Sequence, residues 1–148
     1  MRIGFVNGCL DMFHPGHEHL LRECVKRCDH LIVAINSDAS VKRLKGPKRP
    51  VDSWAVRFLN VDEFLHDLGS YAIIPFEGDE GPLLMAIRPG ILFKGYDHKI
   101  GQVFYRKVGW KKDPANAFEG PKVVQISHLP GFSTTSIVEE RHETKSDA

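Results

Sequence analysis

Two histidines three residues apart, His14 and His17, stand directly behind a glycine turn in the stretch Gly8-Cys-Leu-Asp-Met-Phe-His-Pro-Gly-His17. Pro15 suits the first position of a helix, where its missing N–H costs nothing. A helix beginning there would carry both imidazoles on its first turn. Such a start presents unpaired N–H groups and the positive end of the helix dipole, a ready anion site. Histidines beside it can donate hydrogen bonds to a phosphate and gain strength as charge builds there. Gly8 and Gly16 let a ligand come close to the backbone. The chemistry indicated is the holding and polarising of a phosphate chain.

Three other segments fit the same chemistry. Asn36-Ser-Asp-Ala-Ser40 leads into Val41 to Pro50, where five of ten residues are Lys or Arg. Cations there, Lys42 and Lys45 among them, could clamp a triphosphate; taken alone, the run would be a solvated basic loop. Gly46 and two prolines interrupt it, so it is expected to stay mobile until an anion orders it. Gly131-Phe-Ser-Thr-Thr-Ser-Ile137 places Ser133, Thr134 and Thr135 where hydroxyls cap a helix and can also bind phosphate. Phe93-Lys-Gly-Tyr-Asp97 offers a cation, Lys94, and a carboxylate, Asp97. Cys24, Cys28 and His30 could be drawn as a metal site, but small thiols one turn apart fit core packing better. Cys9 reads as a packing residue rather than a nucleophile, and Trp54 and Trp110 as packing or dimer contacts.

The elements that must position these groups follow from the apolar runs. Ile3–Val6, Leu31–Ile35, Tyr71–Ile74, Ile91–Phe93 and Val123–Ile126 read as buried strands. Helices are expected from about Gly16 to Cys28, from Ser53 to Leu68 with Val56, Leu59, Phe64 and Leu68 inward, from Pro82 to Ile87, and from Ser133 toward Arg141. Val41 to Pro50 is a loop or short helix. Strands alternating with helices imply an α/β fold, a doubly wound, Rossmann-like parallel sheet of five strands. Ligands in such folds sit beyond the carboxyl ends of the strands. The segments after the strands are the ones that hold the candidate residues. The 148 residues are expected to form a single domain, with 101–121 an insertion and 142–148 a frayed tail.

Composition narrows the classes. Apolar residues are 42% and charged residues 26%, values of an ordinary globular domain. Twenty Lys and Arg face 19 Asp and Glu, too even a balance for a general binder of nucleic acid. No apolar run could span a bilayer. Three cysteines argue against a disulfide framework and for a cytoplasmic setting. The first strand lacks the G-x-G-x-x-G fingerprint of a dinucleotide oxidoreductase.

Together and in this order, the four segments resemble the cytidylyltransferase-like nucleotidyltransferase family. Its G-x-F-D-x-x-H-x-G-H stretch corresponds to Gly8–His17, with Leu10 for the usual Phe, and its G-x-S-T-T/S-x-I stretch to Gly131–Ile137. Within it the chain resembles the adenylyltransferase domain of ADP-heptose synthases, above all over Ala34–Val51 and at Phe93-Lys-Gly-Tyr-Asp97, where those enzymes usually read K-G-G-D. Glycerol-3-phosphate cytidylyltransferase is a nearby alternative, but its Arg-Thr before the last glycine motif is replaced by His128 and Leu129. The resemblance implies transfer of NMP, expected to be AMP from ATP, to a sugar phosphate such as heptose 1-phosphate, with pyrophosphate released and no covalent enzyme intermediate. The alternatives are a CTP-dependent enzyme acting on an alditol phosphate and a nucleotide-binding module without catalysis. It implies His14, His17 and Lys45 as catalytic groups. It implies Gly8, Asp11, Gly16, Lys42, Arg57, Lys94, Asp97, Ser133, Thr134 and Thr135 as nucleotide-binding ones. Asp11 would orient a histidine or a water on Mg²⁺. The Mg²⁺ is held mainly through phosphates, with no protein metal site. A homodimer is expected, with neither nucleic acid nor membrane as partner.

Overall fold

The computed structural model describes residues 1–78, 80–95 and 121–127. One parallel sheet contains β1 (Ile3–Gly8), β2 (His30–Asn36), β3 (Tyr71–Phe76), β4 (Ile91–Gly95) and β5 (Lys122–Ile126). Their order across the sheet is β3-β2-β1-β4-β5, the doubly wound Rossmann-like arrangement. Between the strands run α1 (Pro15–Lys26), α2 (Asp38–Lys45), α3 (Trp54–Leu65) and α4 (Gly81–Ile87). The direction of winding reverses between β1 and β4, so the crevice of such a fold opens at their carboxyl ends.

Side chains of a strand alternate between its two faces, and here that alternation divides the core in two. Val6, Leu31, Val33, Ile35, Ile91, Phe93 and Ile126 face α1 and α3, meeting Leu21, Cys24, Val61 and Leu65. Phe5, Ala34, Phe76 and Leu92 face the other way and meet Leu84 of α4. Cys24 and Cys28 are free thiols; Cys24 is in the core, and Cys28 packs against it and donates to the Cys24 carbonyl at 3.3 Å. Among the described residues, no helix is long and apolar enough to cross a membrane.

One alternative left open by the sequence is decided and one expectation is corrected. The first half of the basic run is helical, because Ser37 caps α2 by accepting from the Ser40 N–H at 3.1 Å and Gly46 ends it at φ 104°. Of the loop or short helix expected over Val41 to Pro50, the helix is the one that forms, as far as Lys45. The correction concerns α3, whose buried residues are Arg57, Val61 and Leu65. Val56 and Leu59 point outward, Leu59 at 60% exposure, and Leu68 lies beyond the helix and is exposed. The helix is rolled so that a charged side chain, Arg57, enters the interior, and the reason lies in the site it supports. The expected final helix from Ser133 and the segment 101–120 fall outside the described residues.

Gly4 stands close against the side chains of Phe93 and Cys28. A methyl group added there would lie 2.5 Å from Cε2 of Phe93 and 2.9 Å from Sγ of Cys28. Gly4→Ala should therefore lower the unfolding free energy by about 1–3 kcal/mol through overpacking, measured by urea denaturation. Gly90→Ala, where the nearest atom is 3.8 Å away, should be close to neutral in the same experiment.

Candidate active site

The turn after β1 is built on backbone strain. Leu10 and Met12 are buried in the left-handed region, at φ 49° and 51°. Each such residue costs about 1–3 kcal/mol unless its surroundings hold it. Asp11, between them, has 0% exposure and supplies the hold. Its carboxylate accepts from Nε of Arg49 at 2.8 Å, from the Val51 N–H at 2.8 Å and from the Asp52 N–H at 2.9 Å. Burial pushes the Asp11 carboxyl up, but the two N–H groups and the guanidinium outweigh it and hold it below its ordinary range. The resemblance implies that Asp11 orients a histidine or a water on Mg²⁺, and its charge does act on His17. Its hydrogen bonds also tie the turn after β1 to the end of the basic segment.

His14 is the N-cap of α1, and its backbone is extended at φ −144° and ψ 171°. Its Nδ1 accepts from the Gly16 N–H at 3.1 Å, and Nδ1 of His17 accepts from the His14 N–H at 3.3 Å. This is a capping box with imidazoles in both roles. An accepting Nδ1 carries no hydrogen, so each neutral ring bears its proton on Nε2. The rings stack at 3.8 Å between centroids, and Phe13 stacks on the other side of His17 at 5.6 Å. Burial lowers both pKa values, and with the neighbouring His14 it takes His17 to about 3. At neutral pH the pair is two uncharged donors at a helix start.

Arg57 was expected to bind nucleotide. It has 0% exposure and its guanidinium is occupied in joining loops. It donates to the carbonyls of Asp52 at 3.1 Å, Cys9 at 2.8 Å and Asn36 at 2.7 Å, and to the Asp38 carboxylate at 2.7 Å. It fixes the segments after β1 and β2 from behind, which explains the roll of α3. The basic run is also divided. Arg49 is buried against Asp11, and Arg43 lies 3.5 Å from the Glu77 carboxylate. Lys42 and Lys45 remain exposed on the last turn of α2.

Lys45 acts electrostatically on Cys9 in the turn after β1. Burial pushes the Cys9 thiol up, more than the cations Lys45, Arg57 and Arg49 pull it down. A protonated thiol fits packing, not nucleophilic attack. Across the crevice, Lys94 donates to Oδ1 of Asn7 at 3.0 Å and lies 3.4 Å from the Glu80 carboxylate. Gly8 ends β1, and a methyl group there would meet only Leu10, at 3.9 Å. The structure thus gathers Gly8, His14, Gly16, His17 and Lys94 around the ends of β1 and β4, with Lys45 acting on the same turn. Asp97, Ser133, Thr134 and Thr135 lie outside the described residues. Sequence reasoning missed Asn7, Arg49 and Glu80; only Arg49 left a trace, as one cation among five. Among the described residues no three His, Cys, Asp or Glu side chains stand together to hold a metal.

A doubly wound sheet with a paired-imidazole helix start at its switch point has the build of a nucleotidyltransferase. The chain belongs to the cytidylyltransferase-like family, whose model matches residues 5–140. It is 41% identical over 145 residues to "Bifunctional protein HldE" of Rhodopseudomonas palustris, an alignment covering 97% of this chain and 27% of that protein. It is 42% identical over 139 residues to the protein of the same name from Acidiphilium cryptum, covering 93% and 26%. The chain thus spans about a quarter of the length of these curated relatives. A solved structure, "lipopolysaccharide core biosynthesis protein" from Thermoplasma volcanium, superposes with a TM-score of 0.69 at 27% identity, covering 87% of this chain and 98% of that one.

The buried neutral His17 sets an acid limit on stability. Below about pH 6.5 the unfolded chain takes up a proton on this residue, while the folded chain does not until about 3. The unfolded state binds more protons throughout that window, so stability falls as pH is lowered through it. Thermal unfolding between pH 7 and pH 4 should show this slope, and His17→Gln should flatten it.

Proposed function

We propose that the chain transfers AMP from ATP to a sugar phosphate such as heptose 1-phosphate and releases pyrophosphate. The observation that carries this reading is the pair of neutral imidazoles whose Nδ1 atoms are engaged by the α1 capping box. An oxygen of the sugar phosphate attacks the α-phosphorus of ATP. A new P–O bond forms, and the bond from the α-phosphorus to the bridging oxygen breaks, its electron pair leaving with pyrophosphate. The attacking oxygen is already anionic near neutral pH, so no general base is needed. What the reaction needs is stabilisation of charge on the phosphates. Nε2–H donors, the α1 N-terminus and the cations of α2 are groups of that kind. Mg²⁺ enters as part of the nucleotide substrate, bound mainly through phosphates and water.

The choice of ATP and of a heptose phosphate rests on the likeness of Ala34–Val51 and Phe93–Asp97 to ADP-heptose synthases, and the curated relatives named "Bifunctional protein HldE" support it. Pyrophosphate release should be measured for four NTPs crossed with heptose 1-phosphate, glycerol 3-phosphate and other sugar phosphates. Turnover is expected with ATP and heptose 1-phosphate. Preference for CTP and glycerol 3-phosphate would replace the reading, and nucleotide binding without transfer to any acceptor would reduce the chain to a binding module.

His17→Ala should lower turnover by about 10²–10⁴-fold while the fold persists by circular dichroism. A folded, fully active variant would remove His17 from the mechanism. Lys45→Ala should weaken nucleotide binding and slow transfer together, each by about tenfold, because its charge acts on ground state and transition state alike. Calorimetry and steady-state kinetics would separate the two effects.

A further inference from the structure

The β1–β4 junction differs from its neighbours. The β1–β2 ladder runs to Gly8 and Ile35, and the β4–β5 ladder runs to Gly95 and Ile126. Between β1 and β4 the paired residues are Gly4 with Ile91 and Phe5 with Leu92, although both strands continue to Gly8 and Gly95. Where the ladder ends, side chains take over. Nζ of Lys94 reaches from β4 to Oδ1 of Asn7 on β1 at 3.0 Å and approaches Oε1 of Glu80, before α4, at 3.4 Å. Lys94 and Glu80 are each 13% exposed, so this ion pair is sheltered from solvent screening.

We propose that Glu80 is a positioning residue for the reaction, acting through Lys94. A lysine has a long flexible stem and no fixed geometry of its own. Asn7 and Glu80 fix where the ammonium sits at the mouth of the crevice, beside the phosphate-binding turn. The Glu80 charge also tempers the ammonium, so that a resting triphosphate does not capture it. The same cation then serves the charge that develops during transfer, in a position that needs no rearrangement. The inference rests on the transfer reading of this crevice and assigns a role to a residue outside the signature stretches.

The test is a double-mutant cycle of Glu80→Gln and Lys94→Met, with Glu80→Asp as the charge-retaining variant and circular dichroism to confirm folding. MgATP and MgCTP affinities are read by calorimetry, and kcat and KM by pyrophosphate release. Glu80→Gln is expected to tighten nucleotide binding severalfold while kcat falls by about tenfold. Glu80→Asp should lose part of kcat without tighter binding. In the Lys94→Met background, Glu80→Gln should change neither quantity. A silent Glu80→Gln, parallel loss of binding and turnover, or an undiminished effect without Lys94 would each overturn the proposal. A wild-type chain that binds nucleotide but transfers to no acceptor refutes the transfer reading, while the calorimetric arm still decides the Glu80–Lys94 coupling. A chain that binds neither nucleotide overturns both.

Discussion

The carboxylate of Asp11 is where the turn after β1 and the end of the basic segment are joined. It sits between two residues forced into left-handed backbone, and it accepts three hydrogen bonds from a segment some forty residues further along the chain. Without those bonds nothing local would favour the turn, since neither Leu10 nor Met12 prefers that conformation. With them, the strained turn and the Arg49–Asp52 segment become one body. Arg57 completes the arrangement from below by bonding the carbonyls of Cys9, Asn36 and Asp52. A buried aspartate and a buried arginine, each well supplied with partners, keep the loops after β1 and β2 in register. The histidines then start their helix from a fixed platform.

That platform explains how two imidazoles can stack 3.8 Å apart without mutual repulsion. Their Nδ1 atoms are absorbed in capping α1, and burial disfavours the charged ring. The site therefore separates two tasks that histidines often combine. In the proposed reaction permanent positive charge would come from lysines and the helix dipole, and direction from the imidazoles. A hydrogen-bond donor that is neutral beforehand attracts a polyphosphate less strongly than an imidazolium would, but it is aimed before the ligand arrives.

The parts that were legible from sequence are those governed by local patterns. Apolar runs such as Leu31–Ile35 marked the strands, because a strand of a parallel sheet covered on both faces has no polar side to show. His14-Pro-Gly-His17 marked the helix start, because its spacing matches one helical turn. The face of α3 was misjudged because the interior accepts Arg57, and hydropathy places a guanidinium outside. The hydrogen bonds of Asp11 were not legible for a related reason: its partner Arg49 lies among cations that look alike along the chain. Pairing across that separation is a property of the fold, as is the meeting of Asn7, Lys94 and Glu80. The expectation that Cys24 and Cys28 pack rather than ligate agrees with their place in and against the core.

One consequence concerns Cys9, which lies in the turn after β1. Only the thiolate reacts readily with peroxide or alkylating agents. Burial holds this sulfur in its protonated form despite three nearby cations. The turn thereby carries a cysteine at its most sensitive point while presenting little reactive sulfur to electrophiles. The same burial that packs the turn beside Gly8 and Asp11 thus disfavours the thiolate, the form that oxidants and alkylating agents need.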